Sequence, residues 1–255
     1  MNKAQKKAHE LLRSVGWSEP GDLTVEEMVW ASGAFIKEMP IGGSEGRILV
    51  SDQNAIITLD SEIDYIPKKN YVLAHELAHF HLHKHLSVLF SDTDSTLSEW
   101  RSKGDHEKEA NDFASELLMP SHLFSQKVKG KRLDLSLIEE TANYFGTSLT
   151  ATFLKYRILG DFPVMIIFSE DNIIKWKQSS HDFPFQWIPK HAAVPVYTVA
   201  GDFFNGSGLE DEPVKVDAIE WFPEDWEIEK KKNWKLWEQC FQVSANGVIS
   251  CLWTY

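Results

Sequence analysis

Apolar residues recur at three- and four-residue spacings near the start of the chain. Ala8, Leu11, Leu12 and Val15 fall on one side, which predicts a helix over residues 3–16. A second helix is predicted within "DLTVEEMVWASG". Thr24 with Glu27 three residues on forms a capping-box signal, and Gly33 suits the helix end. The spacing then changes. "AFIKEMPI" reads as a strand, "GGSEG" (Gly42 to Gly46) breaks it, and "RILVSDQNAIITLD" reads as two strands with a turn at Asp52 to Asn54. The glycine cluster lacks the G-x-x-x-x-G-K-[ST] pattern of a phosphate loop and reads as a flexible hairpin tip.

Pro67 suits the first turn of a helix, and helical spacing continues from there to Lys84. "SDTDSTLSEWRSKGD" is polar and turn-rich, a loop over the surface. A helix resumes near His106 and runs through "EKEANDFASELLM" to Pro120. Two more follow, "LSLIEETANYFG" ending at Gly146 and "TSLTATFLKYRILG" ending at Gly160. Beyond residue 161 aromatics, prolines and short alternating runs take over, starting with the β-like "FPVMIIFSEDNIIKWK". The pattern divides the chain into residues 1–120, 121–160 and 161–255. The last part, with tryptophans at 176, 187, 221, 226, 234, 237 and 253, reads as a β-rich or α+β module around an aromatic core. The whole is an α+β protein.

Composition adds constraints. With 43% hydrophobic residues in 255, the chain can bury a core without disulfides. Its two cysteines, Cys240 and Cys251, flank Asn246-Gly247, a type I′ hairpin signal. A turn centred there pairs Cys251 with Gln242 and Cys240 with Trp253, which sets the cysteines diagonally on one face. They are expected to be reduced, half-buried thiols of a cytoplasmic protein. The first residues lack the apolar core of a secretory signal, and no apolar run reaches the roughly 18 residues of a membrane span, so no membrane role is expected. A net charge of −12 argues against nucleic-acid binding by the surface at large. Residues 121–160 differ, with six Lys or Arg against three Asp or Glu. The helical pair there resembles a helix-turn-helix. Its second helix is too apolar to offer many base-reading side chains, so a hairpin completing the domain core is the first reading and DNA contact the second.

The candidate chemistry lies in "YVLAHELAHFHLHKHL". His75 and His79, four apart on a helix, point the same way and can reach one ion. Glu76, about 100° further round, is placed for a water bound to that ion. Zinc with three protein ligands and an open position lowers the pKa of its water to about 7, and Glu76 would serve as general base. The third ligand is open on spacing alone. His85 lies six past His79, as in the metzincin pattern, but Leu82 stands where that pattern needs a turn-making glycine. A carboxylate from "HEKEANDFASELLMP" is preferred, with Glu107, Glu109, Asp112 and Glu116 as candidates. His81, His83 and His85 read as a polar helix end on the surface, favoured there by the macrodipole, or else as part of a second, regulatory metal site.

"HELAH" followed by "EANDFASELLMP" resembles the ImmA/IrrE family of bacterial metallopeptidases. The likeness is most specific over residues 71–120 and loosens to about 160. It implies a zincin-like fold of the gluzincin type, Zn2+ as cofactor, His75, His79 and Glu109 as metal ligands and Glu76 as catalytic base. It also implies a cytoplasmic endopeptidase whose protein substrate is a regulatory protein such as a helix-turn-helix repressor. The alternative is a metal-binding transcriptional regulator that contacts DNA or a partner protein without proteolysis. Glu76 favours the peptidase, because a structural metal site has no use for that carboxylate. A third reading is a zinc hydrolase of small amides.

Overall fold

The structure is a computed structural model that describes residues 1–51, 53–84, 89–91, 104–231 and 233–254. The expected loop after Ser91, the turn residue Asp52 and His85 lie outside the described residues. The chain divides into two compact units, one of residues 1–124 with 142–148, the other of 125–141 with 149–255. Of the segment read as a helical pair packed on the core, residues 121–124 and 142–148 fall in the first unit and residues 125–141 and 149–160 in the second.

In the first unit α1 (Lys3–Ser14) starts at a capping box, with Asn2 and Gln5 bonding reciprocally. The expected box of Thr24 and Glu27 opens α2 (Val25–Ala31). Gly33, in the left-handed region at φ +82°, turns the chain into β1 (Ala34–Met39). A four-stranded sheet follows in the order β1-β3-β2-β4, from β2 (Gly46–Val50), β3 (Ala55–Asp60) and the short β4 (Leu89–Ser91). β1 runs parallel to β3, and the remaining pairs are antiparallel. The period of two is visible on β2 and β3. Ile48 and Ile57 are buried, while Leu49 and Ile56 face out. α3 (Ile66–Ala78) packs against β2, β3 and α4 (Asp105–Leu118), and α1 also packs on α4. Every residue of α3 from Val72 to Ala78 is buried. A helix apolar or engaged on all sides must lie inside its domain, and this one brings the H-E-x-x-H motif into the interior.

α5 (Ser121–Val128) is a helix the spacing did not predict, and α6 (Leu135–Phe145) and α7 (Leu149–Leu159) are the expected pair. In the second unit α7 packs on an antiparallel sheet of order β6-β5-β9-β8-β7. Its strands are β5 (Val164–Glu170), β6 (Ile173–Ser179), β7 (Val214–Asp217), β8 (Lys235–Ser244) and β9 (Gly247–Trp253). Two short helices, α8 (Val199–Phe204) and α9 (Ala218–Trp221), help cover its far face around Phe185, Trp221 and Phe222. Glu238 is fully buried there. Its carboxylate accepts from the backbone N–H groups of Val199 and Ala200 and from Trp221 Nε1–H, which meets the demand that a buried charge be bonded.

The hairpin register differs from expectation. The turn closes at Ser244 and Gly247, with a shift between Gln242 and Ser244, so Cys240 pairs with Ser250 and Cys251 with Gln239. The cysteines then lie on opposite faces of the sheet, both buried and unpaired. The pairing is offset by three residues from the expected one (Cys251 opposite Gln239, not Gln242), and any odd offset moves a side chain to the other face; the Asn-Gly signal alone did not reveal it. Among the described residues no helix is long and apolar enough to cross a membrane.

Candidate metal centre

α3 stacks His75 and His79 one turn apart, with their Nε2 atoms 3.2 Å from each other. α4 runs alongside and delivers Glu107. Its Oε2 lies 3.1 Å from His75 Nε2 and its Oε1 3.5 Å from His79 Nε2. Both imidazoles are buried, whereas the carboxylate is partly exposed, so the cluster opens to solvent on the Glu107 side. A four-coordinate ion about 2.0–2.2 Å from each N or O donor sets its ligands about 3.3 Å apart. The three observed edges fit that spacing. The donor set, two imidazoles and a carboxylate, is one that suits zinc.

The ring orientations fit as well. Asn111 Oδ1 accepts from His75 Nδ1 at 2.9 Å and also from the Tyr71 hydroxyl. A carbonyl oxygen only accepts, so His75 carries its proton on Nδ1 and keeps a lone pair on Nε2, toward the cluster. Asn111 lies four residues past Glu107, and one face of α4 supplies both. Burial, reinforced by the neighbouring His75, lowers the His79 pKa to about 3, so this ring is neutral with a lone pair to give.

Glu76 is 1% exposed. Its carboxylate lies against Gly46 at the start of β2. A Cβ added at Gly46 would collide with Val72 Cγ1 and sit 3.2 Å from Glu76 Oε1. The last glycine of "GGSEG" is thus a point of close approach between strand and motif helix, where the sequence suggested only a flexible tip. Gly46→Ala is expected to cost about 1–3 kcal/mol of stability by overpacking and to displace Glu76. Chemical denaturation measures the first effect. Unchanged stability would show that helix and strand separate freely.

Glu109 is not brought to the His75–His79 pair. It lies two residues past Glu107, about 200° around the helix, and bonds instead to His83 Nε2 at 3.0 Å. That bond holds the Glu109 carboxyl below its usual range. Among the described residues the carboxylate that reaches both histidines is Glu107. Of the other candidates, Glu116 is buried and ties His9 to Ser121 at the start of α5, and Asp112 accepts from Asn2 on the surface.

The expected surface position of the later histidines is corrected for two of them. His79–His83 forms a π-turn that continues α3, and His83 is 1% exposed. His83 Nδ1 lies 3.0 Å from His79 Nδ1. His81 is part-buried, stacks on Phe113 and reaches Ser32 Oγ; burial first, then Lys7 and Lys84, lower its pKa to about 4. His83, His106 and Glu109 form a second group of ion-sized spacing beside the first. Sequence reasoning missed Asn111 and Tyr71, and carried His83 only in the alternative of a second metal site. The available signal was a third step of four, since His83 follows His79 as His79 follows His75.

A family model described as IrrE N-terminal-like domain, of a peptidase family, matches residues 31–158 and so spans both clusters. No curated protein matches the chain. A solved structure described as a Mycobacterium tuberculosis transcriptional regulator is similar in fold, with a TM-score of 0.61 at 13% identity. The match covers 99% of this chain and 77% of that one.

Proposed function

Because the chain belongs to the IrrE N-terminal-like family of metal-dependent peptidases, we propose that it is a zinc-dependent endopeptidase acting in the cytoplasm on a regulatory protein such as a helix-turn-helix repressor. In this reading the first unit has a zincin-like architecture of gluzincin type, and His75, His79 and Glu107 hold the ion. The observation that carries the reading is the convergence of His75 Nε2, His79 Nε2 and the Glu107 carboxylate, with Glu76 buried at the next position after His75 on the same helix. A structural site would need a closed set of four ligands and no further carboxylate.

Zinc held there would polarise the scissile carbonyl and acidify a water. Asn111 and Tyr71 fix the His75 ring, so no reorganisation is needed when substrate arrives. Glu76 takes a proton from the attacking water as its oxygen bonds to the carbonyl carbon. Glu76 then gives that proton to the amine nitrogen as the C–N bond breaks. Of the side chains conceivable for steadying the oxyanion, Tyr144 packs edge-on against Phe145 and His106 lies in the second cluster. His122 lies near His9, and Tyr156 is buried against Gly160 in the other unit.

The alternative, a metal-binding regulator that does not cleave, draws on the basic balance of residues 121–160 and on the description of the structural relative. On α7, however, Lys155 is buried and Arg157 is half-buried with a bond to Ser179 O. Neither is presented to a DNA groove. The deciding experiment compares zinc content and new protein termini in cells expressing wild type or Glu76→Gln. A terminus that appears only with wild type identifies the substrate. Identical termini, with zinc bound to both proteins, would favour the regulator.

A further inference from the structure

Resting on the metal-site reading above, we infer that Glu109 and His83 are positioning residues that lock the ring of the metal ligand His79 through a two-histidine chain. Three contacts carry this. His79 Nε2 faces His75 and Glu107. His79 Nδ1 faces His83 Nδ1 at 3.0 Å, and His83 Nε2 faces Glu109 Oε2 at 3.0 Å. A neutral imidazole has one N–H and one lone pair. When His79 gives its Nε2 lone pair to the ion, its proton sits on Nδ1 and is donated to His83 Nδ1. His83 must accept there, so its own proton sits on Nε2 and is donated to the Glu109 carboxylate. Each link fixes the next, and the chain ends on a charge that only accepts.

The same logic assigns the second histidine cluster. His83, His106 and Glu109 have the spacing of an ion site. An ion on His83 Nε2 would move that ring's proton to Nδ1. Two N–H groups would then face each other 3.0 Å apart between His79 and His83. Filling the first site therefore opposes filling the second. A metal-ligating histidine ordinarily gives its other N–H directly to a carboxylate or carbonyl. Here His75 follows that rule with Asn111, and His79 reaches its carboxylate through one more ring.

The test uses the full chain with 15N-labelled histidine, loaded with zinc, and zinc affinity measured by chelator competition. Wild type is expected to bind one zinc, with His79 protonated on Nδ1 and His83 on Nε2. Glu109→Ala is expected to weaken zinc binding about 10–100-fold, the usual effect of losing an outer partner. Glu109→Gln, whose carbonyl still accepts, should recover part of that loss, which a merely structural role would not predict. Two zinc ions per chain, a His83 protonated on Nδ1, or unchanged affinity in Glu109→Ala would each overturn the relay. A wild-type chain that binds no zinc would instead remove the metal-site reading on which the relay stands.

Discussion

Glu76→Gln is expected to lower peptide cleavage about 10²–10⁴-fold, the range for loss of a general base, while leaving zinc content unchanged. Glutamine keeps the shape of the side chain, and shape matters at this position. Glu76 is buried between the motif helix and β2, with Gly46 as its neighbour. A smaller residue would leave a cavity and confuse a packing effect with a chemical one. Glutamine cannot accept the proton of water at neutral pH, so the variant isolates the chemistry. At 1.36 kcal/mol per tenfold, a 10³-fold loss corresponds to about 4 kcal/mol in the barrier. Metal analysis beside a cleavage assay on the identified substrate reads both halves. A Gln variant that cleaves at the wild-type rate would exclude Glu76 as base, and a variant that loses zinc would make it a ligand instead.

The elements of the first unit were legible because local rules decided them. Apolar residues at helical spacing in α1, the capping box at Thr24, a proline in the first turn of α3 and a change of spacing from four to two are all local signals. The helix bearing the motif was legible for the same reason. What local spacing could not settle was which carboxylate meets the histidines. Glu107 and Glu109 lie on nearly opposite sides of α4, and both sides carry histidine partners, His75 with His79 on one and His83 on the other. The choice depends on how α4 is rotated against α3, and that is set by the packing of Ala110, Phe113, Ala114 and Leu117. His83 was assigned to the surface because a histidine-rich helix end is ordinarily solvated. Here α4 covers it. The Cys240–Cys251 hairpin shows the same limit, since its turn residues were recognised but its register depends on a shift that no short motif announces.

Glu107→Ala is expected to weaken zinc binding by more than about 100-fold, beyond the 10–100-fold range for losing an outer partner. Glu109→Ala should fall within that range. The two substitutions remove the same group from the same helix two residues apart, so the ordering separates ligand from relay. Glu107 contributes one of three donors and lies within 3.5 Å of both His Nε2 atoms. Without it two imidazoles must hold the ion alone. The two ligands are still oriented, His75 by Asn111 and His79 through His83, so the apo fold should persist and the loss should appear in metal affinity rather than in unfolding. Chelator competition and thermal unfolding of the metal-free proteins measure these separately. The reverse ordering, with Glu109→Ala the more damaging, would return the third-ligand role to Glu109 and require α4 to rotate when the ion binds.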